Sequence, residues 1–258
     1  MKIWTLTENT ACVDGLAREH GLSLYIETCG KRILFDAGQT GIFADNARRM
    51  GLELSRVDLA ILSHGHYDHG GGLGRFLAEN DHAEIYVNQY AFEPHYNALG
   101  RDIGLDPALR SCGRLVYVED TLALGDGLSL HSCAGQERAY PWGAFGQTAG
   151  DGRLPEDFRH EQYLLIQERG KRVVISGCSH KGVANVVSWL EPDVLIGGFH
   201  TMKLEPGSRE LEELAMVLLA YPTRYYTGHC TGQGQYQVLR RIMGDRVRSI
   251  GAGSMVEI

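Results

Sequence analysis

The sequence predicts a four-layer α/β sandwich, two sheets packed face to face with helices covering their outer surfaces. Three observations point there. Each half of the chain opens on strand-like apolar runs, helical segments interleave with the later strands, and no repeat or linker divides the 258 residues. A single α/β domain of that length buries a large core and needs no disulfide staples.

In chain order, residues 22–27 and 32–35 read as strands turning at Thr28-Cys29-Gly30-Lys31. Residues 41–50 carry a helical pattern that Gly51 would cap. Residues 57–62 form an apolar run ending at Ser63, the pattern of a buried strand. A short helix is predicted over 72–79 and a strand over 84–87. In the second half, 162–167 and 171–175 read as a strand pair turning at Glu168-Arg169-Gly170. Helices are predicted over 183–190, 208–219 and 235–243, with short strands at 194–196 and 224–227. The helix at 208–219 sets Leu211, Leu214, Ala215 and Leu218 on one face. Two stretches, 93–112 and 132–160, are rich in Gly and Pro and lack periodicity. Segments of this kind are lids, binding or interface loops, or surface padding.

Hydrophobic residues make up 43% and charged residues 22%, an ordinary globular balance. The net charge is −7 with no block of like charge, which argues against a nucleic-acid platform. A small anionic substrate is compatible with that charge, because a metal ion supplies local positive charge. No run of about 20 apolar residues could span a bilayer, and the first residues lack the apolar core of a signal peptide. Cys12, Cys29, Cys112, Cys133, Cys178 and Cys230 contain no C-x-x-C pair. They read as reduced thiols, and a cytoplasmic location is expected. A homo-oligomer is left open, with 93–112 as a candidate contact.

The chemistry concentrates in Ser63-His64-Gly65-His66-Tyr67-Asp68-His69-Gly70-Gly71-Gly72. Imidazole and carboxylate are ligands that Zn, Fe and Mn accept, and the preceding strand would anchor the loop at a sheet edge. Zinc generally takes at least three protein ligands per ion, so distant segments must complete the site. His180, His200 and His229 each follow an apolar strand-like run and have a glycine nearby.

The H-x-H-x-D-H loop, the upstream Phe35-Asp36-Ala37-Gly38 and the downstream histidines resemble the metallo-β-lactamase superfamily over nearly the whole chain. That resemblance implies an αββα sandwich with a binuclear metal site at one edge. His64 and His66 would serve the first metal; Asp68, His69 and His229 the second. Asp36 would accept hydrogen bonds from the metal loop, with a turn-capping role as the alternative. The superfamily usually carries Gly-Asp where this chain has Gly177-Cys178. Either Cys178 bridges as a thiolate or water alone bridges.

Gly177-Cys178-Ser179-His180 resembles one branch in particular, as do His160-Glu161-Gln162, Gly182, Asn185 and Gly197-Gly198-Phe199-His200. That branch includes 7,8-dihydropterin-6-methyl-4-(β-D-ribofuranosyl)aminobenzene 5′-phosphate synthases. In it His180 would be the third ligand of the first metal, with His160 competing. His200 would bind substrate oxygen or donate a proton. His20, His82, His95 and His131 lack such contexts and read as ordinary surface or core histidines.

The expected function is a metal-dependent hydrolase or transferase acting on a small phosphorylated or pterin-like substrate. Two zinc ions are the first expectation, Fe or Mn being admitted, and Asp68 would orient the nucleophile. A thioester or lactone hydrolase is the alternative enzyme. A metal-holding protein that binds a ligand without turnover is the non-enzymatic alternative. Gly-x-Ser-x-Gly is absent.

Overall fold

The computed structural model describes residues 1–152 and 154–258; Arg153, inside the second unassigned stretch, lies outside the described residues. The first half runs β1 (Lys2–Thr7), β2 (Ser23–Thr28), β3 (Lys31–Phe35), α1 (Ile42–Arg49), β4 (Leu59–Ile61), α2 (Tyr67–Gly70) and α3 (Leu73–Glu79). It continues through β5 (Glu84–Asn88), β6 (His95–Tyr96), β7 (Leu115–Val118), β8 (Thr121–Gly125) and β9 (Leu128–His131). Then come β10 (Thr148–Ala149), β11 (Leu154–Pro155), β12 (Tyr163–Glu168), β13 (Lys171–Ile175) and α4 (Val183–Leu190). The chain closes with β14 (Val194–Ile196), α5 (Arg209–Ala220), β15 (Arg224–Thr227), α6 (Gln233–Met243), β16 (Val247–Ser249) and β17 (Met255–Glu257).

Two sheets form, ordered β17-β1-β2-β3-β4-β5-β7 and β16-β15-β14-β13-β12-β9-β8. Strand side chains alternate between faces, and the apolar pattern uses both. Ile33 and Phe35 of β3 join Leu164, Ile166, Val173 and Ile175 in the layer between the sheets. Leu34 instead packs with Phe43, Ala47 and Phe76 under α1 and α3. On the other side, Leu165, Val174 and Leu195 pack against α4, α5 and α6. The order is therefore helix, sheet, sheet, helix, as the sequence predicts. Full burial of such side chains contributes about 1.5–3 kcal/mol each, so the three apolar layers hold the sandwich together.

The predicted hairpins have left-handed pairs at their turns: Cys29 and Gly30 at φ 50° and 71°, Arg169 and Gly170 at 50° and 74°. Two-residue hairpin loops favour this geometry. Gly51, at φ 73°, lies just beyond the cap of α1, and Leu211, Leu214, Ala215 and Leu218 are the buried face of α5. The two unassigned stretches are more ordered than their composition suggests. β6 pairs with β10 and β10 with β11, so they build a small sheet together. Among the described residues no helix is long and apolar enough to cross a membrane.

Strand direction positions the site. β3 and β4 are parallel, as are β13, β14 and β15, so their C-terminal ends collect at one edge of the sandwich.

Candidate metal centre

Each of those strand ends delivers a polar side chain. Asp36 follows β3, the His64–His69 loop follows β4, Cys178 and His180 follow β13, His200 follows β14 and His229 follows β15. Four residues here hold left-handed backbone without being glycine: Asp36 at φ 60°, Ser179 at 54°, His200 at 52° and His229 at 50°. Such conformations are uncommon and cluster where surrounding structure over-determines them.

Asp36 is fully enclosed and accepts three hydrogen bonds. Ser63 N donates to Oδ1 at 2.7 Å, Ser63 Oγ donates to Oδ2 at 2.7 Å, and His69 Nδ1 meets Oδ2 at 2.6 Å. A carboxylate only accepts, so these contacts fix proton positions. His69 carries a proton on Nδ1. Ser63 spends its hydrogen on Asp36 and must accept from His64 Nδ1, 2.8 Å away. In their neutral forms both histidines therefore present a bare Nε2.

His229 reaches the same state by another route. Its Nδ1 meets Asn9 Oδ1 at 2.9 Å, and its backbone N–H donates to Glu8 Oε1. His229 Nε2 then faces His69 Nε2 at 3.2 Å and Asp68 Oδ2 at 3.3 Å, while Cys178 Sγ lies 3.2 Å from His69 Nε2. His64 Nε2 faces His180 Nε2 at 3.2 Å. Two sets of ligand atoms lie within 4.8 Å of one another, His64-Cys178-His180 and His69-Cys178-His229, with Cys178 common to both. Asp68 groups likewise with His64 and His69.

Lone pairs at these separations repel unless a proton or a cation lies among them. Burial, then repulsion from neighbouring imidazoles, pushes the pKa values of His64 and His180 well down, which keeps them in the neutral form that ligates. Burial likewise pushes His66 down to about 3 and His200 to about 4. Burial opposes charge on His69 too, yet Asp36 and Asp68 outweigh it and hold that pKa above the ordinary value. Burial works against the Asp68 carboxylate, but His69 and the hydrogen-bonding partners His20 and His229 hold its pKa well below the usual range. The donor set, nitrogen, carboxylate and sulfur around a position that calls for positive charge, fits a divalent transition metal.

His180 is aimed from below. Glu161 accepts its backbone N–H at 2.7 Å, that of Lys181 at 3.1 Å, and the Tyr163 hydroxyl at 2.5 Å. Glu161→Gln replaces one acceptor with an amide donor, and a loss of about 1–2 kcal/mol in thermal unfolding is expected. Gly177 allows the two loops to meet: a Cβ there would sit 2.1 Å from Ser63 Oγ and 3.1 Å from His64 Nδ1.

The two candidates for the third position on the first metal separate clearly. Gly65 N–H donates to His160 Nδ1 at 2.9 Å, so neutral His160 carries its proton on Nε2 and has no lone pair left to ligate. The arrangement favours His180. His66 sits 4.6 Å ring to ring from His64 and 4.9 Å from His180, but its Nε2 is buried without a partner, and it groups with His95 and His160. His200 lies 4.4 Å ring to ring from His180, with Nδ1 unpartnered.

Two histidines read as ordinary belong to this neighbourhood. His95 is buried, its Nδ1 2.7 Å from Glu156, its ring stacked 3.9 Å from that of His160. His20 Nε2 lies 3.2 Å from Asp68 Oδ2. Neither has a motif around it; His20, in the loop between β1 and β2, and His95, in β6, are brought close only by the fold. A cavity of about 190 Å³ opens over the centre, lined among others by His20, Asp68, His200, Asn97, Gln147 and Lys203. Asn97 and Gln147 come from the two stretches that form the small sheet.

A family model described as the metallo-β-lactamase superfamily matches residues 17–198. The chain belongs to the metallo-β-lactamase superfamily. An uncharacterised protein of Methanocaldococcus jannaschii is 34% identical over 237 residues, covering 88% of this chain and 89% of the relative. The 7,8-dihydropterin-6-methyl-4-(β-D-ribofuranosyl)aminobenzene-5′-phosphate synthase of the same organism is 28% identical, over 90% of this chain and 88% of that one. The crystal structure of a metal-dependent hydrolase of the β-lactamase superfamily superposes with a TM-score of 0.85 at 24% identity, covering 100% of this chain and 99% of that one. That likeness shows the fold.

Proposed function

We propose that this superfamily member is a metal-dependent hydrolase or transferase whose substrate is small and phosphorylated or pterin-like. The observation that carries the reading is the floor of the cavity, where bare imidazole nitrogens, Asp68 and Cys178 converge while Lys203 stands among the lining residues. The pterin component is supported by the synthase relative. When bound, zinc, iron or manganese supplies Lewis acidity toward an oxygen of the substrate. The first ion would rest on His64, His66 and His180, the second on Asp68, His69 and His229, with Cys178 shared.

The chain's own groups account for the rest. Asp68 stays ionised and accepts a proton or orients water. His200, neutral and lining the cavity, hydrogen-bonds a substrate oxygen. Lys203 is exposed, donates to Phe145 O at 3.1 Å, and offers its charge to a phosphate. No such cation would be needed for a neutral lactone.

A panel of phosphate monoesters, diphosphates, thioesters and lactones, presented to metal-loaded protein, tests the reading. Phosphorylated compounds should turn over. Lys203→Ala should raise KM roughly fivefold for them with little change in kcat, as expected for an exposed charge that binds ground and transition states alike. Asp68→Ala should lower kcat about a hundredfold or more. Turnover of lactones or thioesters alone would assign the alternative enzyme class, and tight binding without turnover would make the protein a ligand-binding one.

A further inference from the structure

His20, Asp68 and His229 also offer ligand atoms within 4.8 Å of one another, so His20 is on distance alone a metal ligand. The hydrogen-bond polarity around Asn9 says otherwise. Asn9 follows β1 and lies before residue 17, where the family match begins. Its side chain touches three groups. Gly21 N–H points at Oδ1 at 3.3 Å, and a backbone N–H donates only, so the amide oxygen must be on that side. The same oxygen meets His229 Nδ1 at 2.9 Å, which must therefore carry the proton. The Nδ2 group is left facing His20 Nδ1 at 3.3 Å, and Nδ2 only donates. His20 Nδ1 is then the acceptor, and its proton sits on Nε2, pointing at Asp68 Oδ2 3.2 Å away.

We infer that Asn9 is a positioning residue that sets two site histidines in opposite tautomers: His229 with a bare Nε2 that ligates, His20 with a protonated Nε2 that donates to Asp68 and does not ligate. Glu8 completes the clamp by accepting the His229 backbone N–H, so consecutive residues hold the ring and the backbone of one histidine. His20 keeps 45% of its side chain exposed and lines the cavity, whereas Asp68 keeps 12%. His20 thus stands over the carboxylate as a fixed donor at the mouth of the site.

The inference about His229 as a ligand rests on the proposed metal centre; the tautomer assignment does not. Two readouts keep them apart. The first is the imidazole ¹⁵N spectrum of the metal-free protein, with folding checked by circular dichroism. The expected pattern is Nδ1–H on His229 and Nε2–H on His20. In Asn9→Asp, where oxygen faces both rings, His229 should keep Nδ1–H while His20 flips to Nδ1–H. In Asn9→Ala neither is enforced. The second readout is zinc affinity by chelator competition. Asn9→Ala should weaken it about 10- to 100-fold and Asn9→Asp should restore most of the loss. His20→Ala should leave zinc content unchanged. Nδ1–H on His20 in the unaltered protein, or a zinc loss in His20→Ala matching that in His229→Ala, overturns the assignment. If the unaltered protein takes up none of zinc, iron or manganese, the proposed function falls and the ¹⁵N pattern still decides the role of Asn9.

Discussion

Asp36→Ala is expected to destabilise the protein by about 3 kcal/mol and to weaken metal binding about a hundredfold. Asp36 accepts from Ser63 N, Ser63 Oγ and His69 Nδ1, all buried. Removing the carboxylate leaves three buried donors without their acceptor. Each such orphan costs about 1–3 kcal/mol, partly relieved by relaxation. The same change frees the tautomers of His64 and His69, so ligand geometry is lost along with stability. Asp36→Asn separates the two effects. Asparagine tolerates the left-handed backbone at φ 60° and keeps one acceptor oxygen. Its amide must then face either Ser63 or His69 with a donor. Thermal unfolding in the presence of a chelator should show Asp36→Asn more stable than Asp36→Ala, while chelator competition shows both binding metal poorly. Tight binding by Asp36→Asn would mean that the amide turns to Ser63 N and its oxygen still accepts from His69 Nδ1.

The second large effect is expected at Cys178. Its sulfur belongs to both ligand groups, where the superfamily usually places a carboxylate. Cys178→Ala should reduce bound metal from two ions per chain toward one, and Cys178→Asp should restore much of the loss. Burial first, and then the neighbouring Cys230 and the acidic groups, push the Cys178 thiol well above its ordinary pKa. Free protein therefore holds a thiol, and ligation must expel its proton. The sign follows: apparent affinity rises with pH across the range below that raised pKa and falls as acid returns the proton. Cobalt-loaded protein should show a thiolate-to-metal charge-transfer band that Cys178→Ala lacks. Identical spectra would mean that sulfur is not a ligand.

The two halves of the problem were legible in the sequence to different depths. The strands that bracket the site have apolar runs long enough to read, and each is followed by a histidine, an aspartate or a cysteine, so the edge of the sandwich is visible in the sequence. The hairpins at Cys29-Gly30 and Arg169-Gly170 and the buried face of α5 follow from local rules. Edge strands do not. β8 buries only part of Leu122 and Leu124, β16 and β17 are three residues each, and β1 gains its meaning from pairing with β17 across the whole chain. The small sheet of β6, β10 and β11 is two residues per strand, shorter than any periodicity can register. Within the site, the loop from His64 to His69 declares itself because ligands cluster in sequence. His20, Asn9 and Glu161 do not, because their roles come from hydrogen-bond polarity toward residues far along the chain. His160 shows the converse: its place before β12 made it a plausible ligand, and only the Gly65 N–H on its Nδ1 argues against that.

The central claim is that the bare nitrogens at this edge form a metal centre fed by two sets of ligands. Elemental analysis of purified protein, unaltered and carrying His64→Ala, His180→Ala, His69→Ala or His229→Ala, tests it most directly. About two transition-metal ions per chain are expected in the unaltered protein, with one of them lost in each variant while the apolar layers keep the protein folded. Metal content unchanged by His229→Ala and His64→Ala would contradict it.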